Sequence, residues 1–233
     1  MNNTAMNTLH RHRPASAPAF TLIELLVVIA IIGVLAAMIF PATQAAKKSG
    51  LIRKAKAEIQ QIATAIDSYK AKYGHNPPDN PGNPQLNQLF YELQGTIKTT
   101  VAGADVFQTI DGRTSIPVGS VSTLIGSGVG GFVNCTKAGG DDFAAAHKFI
   151  SNLKPGQYGF LANGIGVLTT SVNWPQKYGP VIAGAPAELN PIRYNSSSPT
   201  NNPKSYDLWV DIVVGGRTNR ISNWTEQPEI VSY

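Results

Sequence analysis

From Phe20 to Phe40 the chain is apolar at nearly every position, interrupted only by Thr21, Glu24 and Gly33. A helix of that length spans roughly 32 Å, about the hydrocarbon thickness of a bilayer. No other stretch approaches it, so one membrane segment is expected. Past Pro41 the pattern becomes one-sided. Ile52, Ala55, Ile59, Ile62, Ile66, Tyr69 and Tyr73 alternate at spacings of three and four, which paints one stripe on a helix. Lys54, Lys56, Gln60, Gln61, Asp67 and Lys70 fall opposite. Gly74 and Pro77-Pro78 then end the helix. The pattern predicts one long helix over 20–73, kinked or weakened near Pro41 and Gly50. Its second half either pairs as a coiled coil or sinks into its own globular domain, and the latter is the commoner outcome.

Residues 74–233 hold 20 glycines and 13 prolines, a turn-rich composition that favours short strands and loops. Two short helices are predicted. One follows the Asn83-Pro84 cap, turns Leu86, Leu89, Phe90 and Leu93 inward and closes at Gly95. The other starts at Asp141-Asp142, faces Phe143, His147, Phe149 and Ile150 inward and stops before Pro155. Strand candidates are 159–161, 166–172 and 208–214. The last ends on Gly215-Gly216, and 220–224 answers it as a hairpin partner. Residues 195–203 are polar and read as a loop.

Composition changes this picture in two ways. Cys135 is the only cysteine, which excludes an intramolecular disulfide and a Cys-rich zinc site. The net charge of +5 suggests nucleic acid at first, but only 14% of residues are charged. The excess lies in the first third: residues 20–73 carry seven basic and three acidic side chains, whereas 74–233 carry ten and eleven. The basic group Lys47, Lys48, Arg53, Lys54 and Lys56 has no interleaved aromatics. It therefore fits a membrane-proximal collar better than a nucleic-acid site.

Two features set the apolar segment apart from a removable secretory signal. The small-residue stretch Ala15-Ser16-Ala17-Pro18-Ala19 lies before the apolar run, so cleavage there keeps the membrane helix on the mature protein. Glu24 sits inside the run, where an unpaired acid costs on the order of 2.5–3.5 kcal/mol at a helix centre and somewhat less near an end. A new α-amino group at Phe20, in the same chain or a neighbouring copy, would offset that cost.

The stretch Ala19-Phe20-Thr21-Leu22-Ile23-Glu24-Leu25-Leu26-Val27-Val28-Ile29 strongly resembles the prepilin cleavage and methylation signature of type IV pilins and type II secretion pseudopilins. The resemblance implies several things. Prepilin peptidase cuts between Ala19 and Phe20, and Phe20 is then N-methylated. Glu24 pairs with a neighbouring subunit's N-terminus during assembly, and Pro41 loosens the helix in the filament. Two departures are visible: Ala19 replaces the usual Gly, and Arg11 and Arg13 stand well back from the cut. The C-terminal Tyr206-Asp207-Leu208-Trp209, Gly215-Gly216 and Ile221-Ser222-Asn223-Trp224 look more loosely like the closing sheet of the major pseudopilin, a family that often binds calcium there. Asp207, Asp211 and Asn219 are weak calcium candidates, opposed by Arg217 and Arg220.

Other motifs carry less. Residues 126–131 satisfy G-x-G-x-x-G, but neither the following helix nor the distant acid that a dinucleotide site needs is present. His147 lacks a second ligand at metal spacing, and Cys135 lacks an activating base. Trp174, Trp209 and Trp224 read as core and edge packing before they read as a sugar platform.

The expectation is an α+β, pilin-like fold, with a long N-terminal helix on a small antiparallel sheet head with short helices. Its segments are a 1–19 leader, a 20–41 membrane and assembly half-helix, a 42–73 amphipathic half-helix and a 74–233 head. No catalytic constellation, cofactor or metal is called for beyond the weak calcium candidates. The expected function is that of a structural subunit, polymerised into a homo-oligomeric type II secretion pseudopilus or type IV pilus-like filament. Its partners would be prepilin peptidase and assembly machinery in the bacterial inner membrane, with a periplasmic head. The alternative is a singly anchored protein that binds glycan or DNA.

Overall fold

The computed structural model describes residues 20–136 and 145–232. A single helix, α1 (Leu22–Tyr73), runs unbroken through Pro41 and Gly50. Two units are distinguished, one ending at Ala46 and one spanning Lys47–Tyr233. In the first, the apolar side chains from Phe20 to Met38 are all exposed. In the second, the predicted stripe is the buried face: Ala55, Ile59, Ile62, Ile66 and Tyr69 lie in the core, while Lys54, Lys56, Gln60, Asp67 and Lys70 face water. Each buried Ile contributes roughly 1.5–3 kcal/mol. The stripe is thus covered by the chain's own head, as expected over a coiled coil. Gly74 ends α1 in the left-handed region (φ 81°), where a side chain would be strained.

The head contains α2 (Leu89–Gln94), β1 (Thr96–Val101), β2 (Ala104–Thr109), β3 (Ser115–Pro117), α3 (Val121–Leu124), β4 (Cys135–Thr136), β5 (Tyr158–Phe160), β6 (Gly166–Leu168), β7 (Arg193–Asn195), β8 (Asp207–Val214), β9 (Arg217–Ser222) and β10 (Glu229–Val231). The described residues form three sheets, in the orders β3-β2-β1-β4, β10-β9-β8-β7 and β5-β6. Every pairing is antiparallel except β1 with β4. The α+β architecture is therefore the one the sequence predicts, with its strands shared among three small sheets.

The β8–β9 hairpin forms as predicted, closing at Val214↔Arg217 around Gly215 (φ 62°) and Gly216 (φ 75°). Two positive φ values are what this tight turn needs, which explains the glycine pair. Leu208, Val210, Ile212 and Val214 bury one face of β8. The β1–β2 hairpin was not predicted. Its turn is Ala102-Gly103, with Ala102 at φ 50°, so the usual Asn-Gly or Asp-Gly signature is missing.

Both helix expectations in the head need correction. α2 begins at Leu89, because Asn83 and Leu86 are spent in turns on Asn80 and Asn83 carbonyls, and Asn87 Oδ1 accepts from Leu89 N–H. Leu86, Leu89, Phe90 and Leu93 are nonetheless buried. Of the second helix, Asp141, Asp142 and Phe143 lie outside the described residues, and 145–149 is irregular. Its backbone groups are captured by side chains and by a distant turn. Asn134 bonds both the N–H and the C=O of His147, Thr136 Oγ1 accepts from Ala146 N–H, and Phe149 and Ile150 donate to the Leu93 carbonyl. After the glycine-rich loop, the strand β4 is confined to Cys135–Thr136.

Candidate assembly and metal sites

Thr21 opens α1 and Glu24 closes a reciprocal pair with it. The Thr21 N–H and hydroxyl both donate to Glu24 Oε2 (2.8 and 2.7 Å), and the Glu24 N–H donates to Thr21 Oγ1 (3.3 Å). This is a capping box, and its Thr-x-x-Glu spacing ahead of an apolar run was a legible signal that the sequence reading passed over. Phe20 is 77% exposed one residue earlier, and Ala19 lies outside the described residues. Pro41 is helical in backbone, in the first unit.

In the second unit, a set of buried polar groups fastens α1 to the head. The Glu92 carboxylate is fully buried. Val133 N–H donates to its Oε1 (2.8 Å), and Asn134 N–H and the Tyr69 hydroxyl donate to Oε2 (2.9 and 3.0 Å). Burial pushes its pKa up, against the lowering effect of these donors. Burial also raises the Tyr69 and Tyr73 phenols, with Glu92 adding to both. Tyr73 donates to Asn134 Oδ1, so α1, α2 and the 133–136 segment meet at one point. Glu58, also buried, accepts from the Thr170 hydroxyl and from the Ser171 N–H and hydroxyl. Neither acid stood out in the sequence, because each falls beside an apolar pattern with no second carboxylate nearby.

The calcium candidates are brought onto the same sheet but not to one point. Asp207 accepts from the backbone N–H groups of Thr200, Asn201 and Asn202, at 2.8–3.2 Å. Asp211 is fully buried; Arg220 grips it with Nε at 2.9 Å and a second nitrogen at 3.1 Å, and Arg193 stands at 3.4 Å. Asn219 donates to the Arg217 carbonyl. A Ca²⁺ ion needs several free oxygens converging on one position. Here one carboxylate is saturated by N–H donors and the other is held by guanidinium groups, so this donor set does not fit the ion. Asp79 plays the same part as Asp207, accepting from the N–H groups of Ser196 and Ser197 and the Ser197 hydroxyl. Two carboxylates thus pin the 195–202 loop from within.

The remaining candidates stay apart. Cys135 is a free, partly buried thiol beside a groove of about 670 Å³ floored by Phe107 and Phe132, and it faces the Thr136 carbonyl at 3.6 Å. His147 packs on Phe149, and no His/Cys/Asp/Glu group with metal-holding geometry occurs among the described residues. Trp209 and Trp224 meet edge to face at 5.8 Å, whereas Trp174 is buried against Tyr178. Residues 126–131 form a loop in which a side chain at Gly126 would collide with Asn80.

Comparison with known proteins agrees with the N-terminal pattern. The prokaryotic N-terminal methylation motif matches residues 17–40. Type II secretion system core protein G of Escherichia coli K12 is 31% identical over 141 residues, covering 57% of this chain and 88% of the relative. The protein of the same name from Pseudomonas aeruginosa PAO1 is 43% identical over 51 residues, 22% of this chain and 36% of the relative. No solved structure matches significantly.

Proposed function

This chain belongs to the type II secretion system core protein G family, and from that premise we propose how it is processed and assembled. It is a pseudopilin, a structural subunit of the type II secretion pseudopilus rather than an enzyme. The observation that carries this is the combination of the methylation motif at residues 17–40 with a relative matched over 88% of its length.

In the proposed sequence of events, prepilin peptidase cuts between Ala19 and Phe20, and the new Phe20 amine is methylated. The precursor sits in the inner membrane by its 20–41 segment, with the head in the periplasm. Copies then bundle their apolar helices into a filament, and Glu24 exchanges its Thr21 partner for the Phe20 amine of a neighbour. That exchange removes a lone negative charge from an apolar bundle. Pro41, which lacks the N–H for one helical bond, leaves a point where α1 can loosen during packing. The head carries no calcium in this reading, because Arg193 and Arg220 already neutralise Asp211.

Mass spectrometry of the mature chain tests the processing step. A methylated Phe20 terminus is expected, and a terminus elsewhere, such as Ala46, overturns it. Glu24→Ala should leave the protein in the membrane but unassembled, and unchanged filament yield refutes the pairing role. A lone glycan- or DNA-binding anchor is less favoured, since both relatives named above are secretion-system subunits. Filaments pellet after gentle shearing of cells, whereas single anchors stay with the membrane.

A further inference from the structure

We infer that the tip of the β8–β9 hairpin and the first turn of α1 in the head unit form a docking rim for anionic lipid headgroups. The inference rests on the reading that residues 20–41 hold the subunit in a membrane. β8 runs back along α1. At its start the Tyr206 hydroxyl lies 3.4 Å from the Ala63 carbonyl, and beyond its end a Cβ on Gly215 would stand 3.8 Å from Lys48 Cδ. The lengths agree: fifteen helical residues from Lys48 to Ala63 rise about 22 Å, and the seven steps of β8 cover about 24 Å. The hairpin tip is therefore level with Lys48.

Among the described residues, the exposed charged side chains level with the tip are basic. Lys47, Lys48 and Arg217 are exposed. Of the carboxylates on the neighbouring elements, Asp211 is held by Arg193 and Arg220 and Glu58 by Thr170 and Ser171, while the exposed Glu229 and Glu226 lie farther from the tip, at the register of Arg220 and beside Lys56. Gly215 and Gly216, both exposed, have no side chains to hold a surface off the tip. Six steps of chain lead from Pro41 to Lys47, which limits the distance from the end of the membrane segment to at most about 21 Å. Anionic headgroups attract basic residues held near the surface, within a screening length of about 8 Å at physiological salt. The helix lysines alone would give an attractive collar. Arg217 adds a second point of contact from another element, and two points fix how the head leans on the membrane before assembly.

The test uses the full chain in nanodiscs of phosphatidylcholine alone or with phosphatidylglycerol, read by amide hydrogen exchange. Exchange at residues 215–218 should slow by roughly an order of magnitude with phosphatidylglycerol, and the effect should vanish at high salt. Arg217→Glu should abolish the slowing and Arg217→Lys should keep it, while exchange within β8 at Leu208–Ile212 stays unchanged as a check on the fold. Equal exchange in both lipids, or slowing that follows subunit density instead of lipid charge, overturns the proposal. Filament yield is scored separately, so a parent chain that assembles but shows no slowing with phosphatidylglycerol rejects this inference alone. Loss of membrane retention in the unmodified chain rejects the reading beneath it.

Discussion

Glu92 illustrates how much one buried acid shapes the behaviour of the head. Burial raises its pKa, so its contribution to stability is present below the ordinary Glu value of 4.5 and is lost as pH climbs through the raised value. Glu92→Gln should flatten that dependence, so that melting temperature falls less with rising pH than in the parent chain. It should also cost about 1–3 kcal/mol, since an amide NH₂ would face an N–H donor from Val133 or Asn134. A thermal series across pH, run on both chains, checks both points; equal slopes would remove Glu92 from the account. At the other end of the chain, Thr21→Ala takes away the hydroxyl that closes the capping box with Glu24. The first turn of α1 should fray by about 1 kcal/mol. Faster amide exchange at Glu24, restored by Thr21→Ser, is the expected signature.

At the scale of elements, the β8–β9 pair depends on a buried charge cluster in place of a metal. Arg220→Ala leaves Asp211 with Arg193 as its remaining guanidinium in the cluster, and should cost about 2–3 kcal/mol in urea unfolding, short of the full penalty for an unpaired buried charge. Adding Ca²⁺ or a chelator should leave the melting temperature of the parent chain unchanged; a clear upward shift with Ca²⁺ would contradict the N–H and guanidinium assignment. This hairpin was legible because a β-branched run met a Gly-Gly turn, so propensity and turn chemistry agreed. β1 and β2 were hidden because Thr, Lys and Gln dilute their apolar pattern and Ala102 occupies a left-handed turn position. The helix expected after Asp141 failed for a different reason. Asn134 and Thr136 take the backbone groups of 146–147, and no local pattern announces partners ten or more residues away. The residues proposed for assembly, Phe20, Glu24 and Pro41, could be picked out because they lie in one contiguous stretch. The Glu58 and Glu92 clusters were not, because their partners arrive from distant segments.

For the molecule as a whole, the division at Ala46 and Lys47 separates two kinds of surface. All the core residues of α1 lie beyond Lys47, and all the exposed apolar ones from Phe20 to Met38 lie before it. A chain beginning at Lys47 should therefore keep the near-ultraviolet circular dichroism and cooperative melting of the head, remain in the supernatant without detergent, and form no filaments. Aggregation with loss of tertiary signal would show that the first segment contributes to folding. The charge excess follows the same division of labour, since it belongs to α1 and leaves the rest of the head close to neutral.

The bonds between α1 and the head are strung out along the helix: Lys56 to the Glu226 carbonyl, Glu58 to Thr170 and Ser171, Gln61 to Gln157, Tyr69 to Glu92 and Tyr73 to Asn134. A force applied along the helix axis loads these contacts together, in shear, instead of peeling them one at a time. A head fixed in this way moves with the Lys47–Tyr73 part of its helix as one piece, so a pull on that part is carried directly to whatever the head touches.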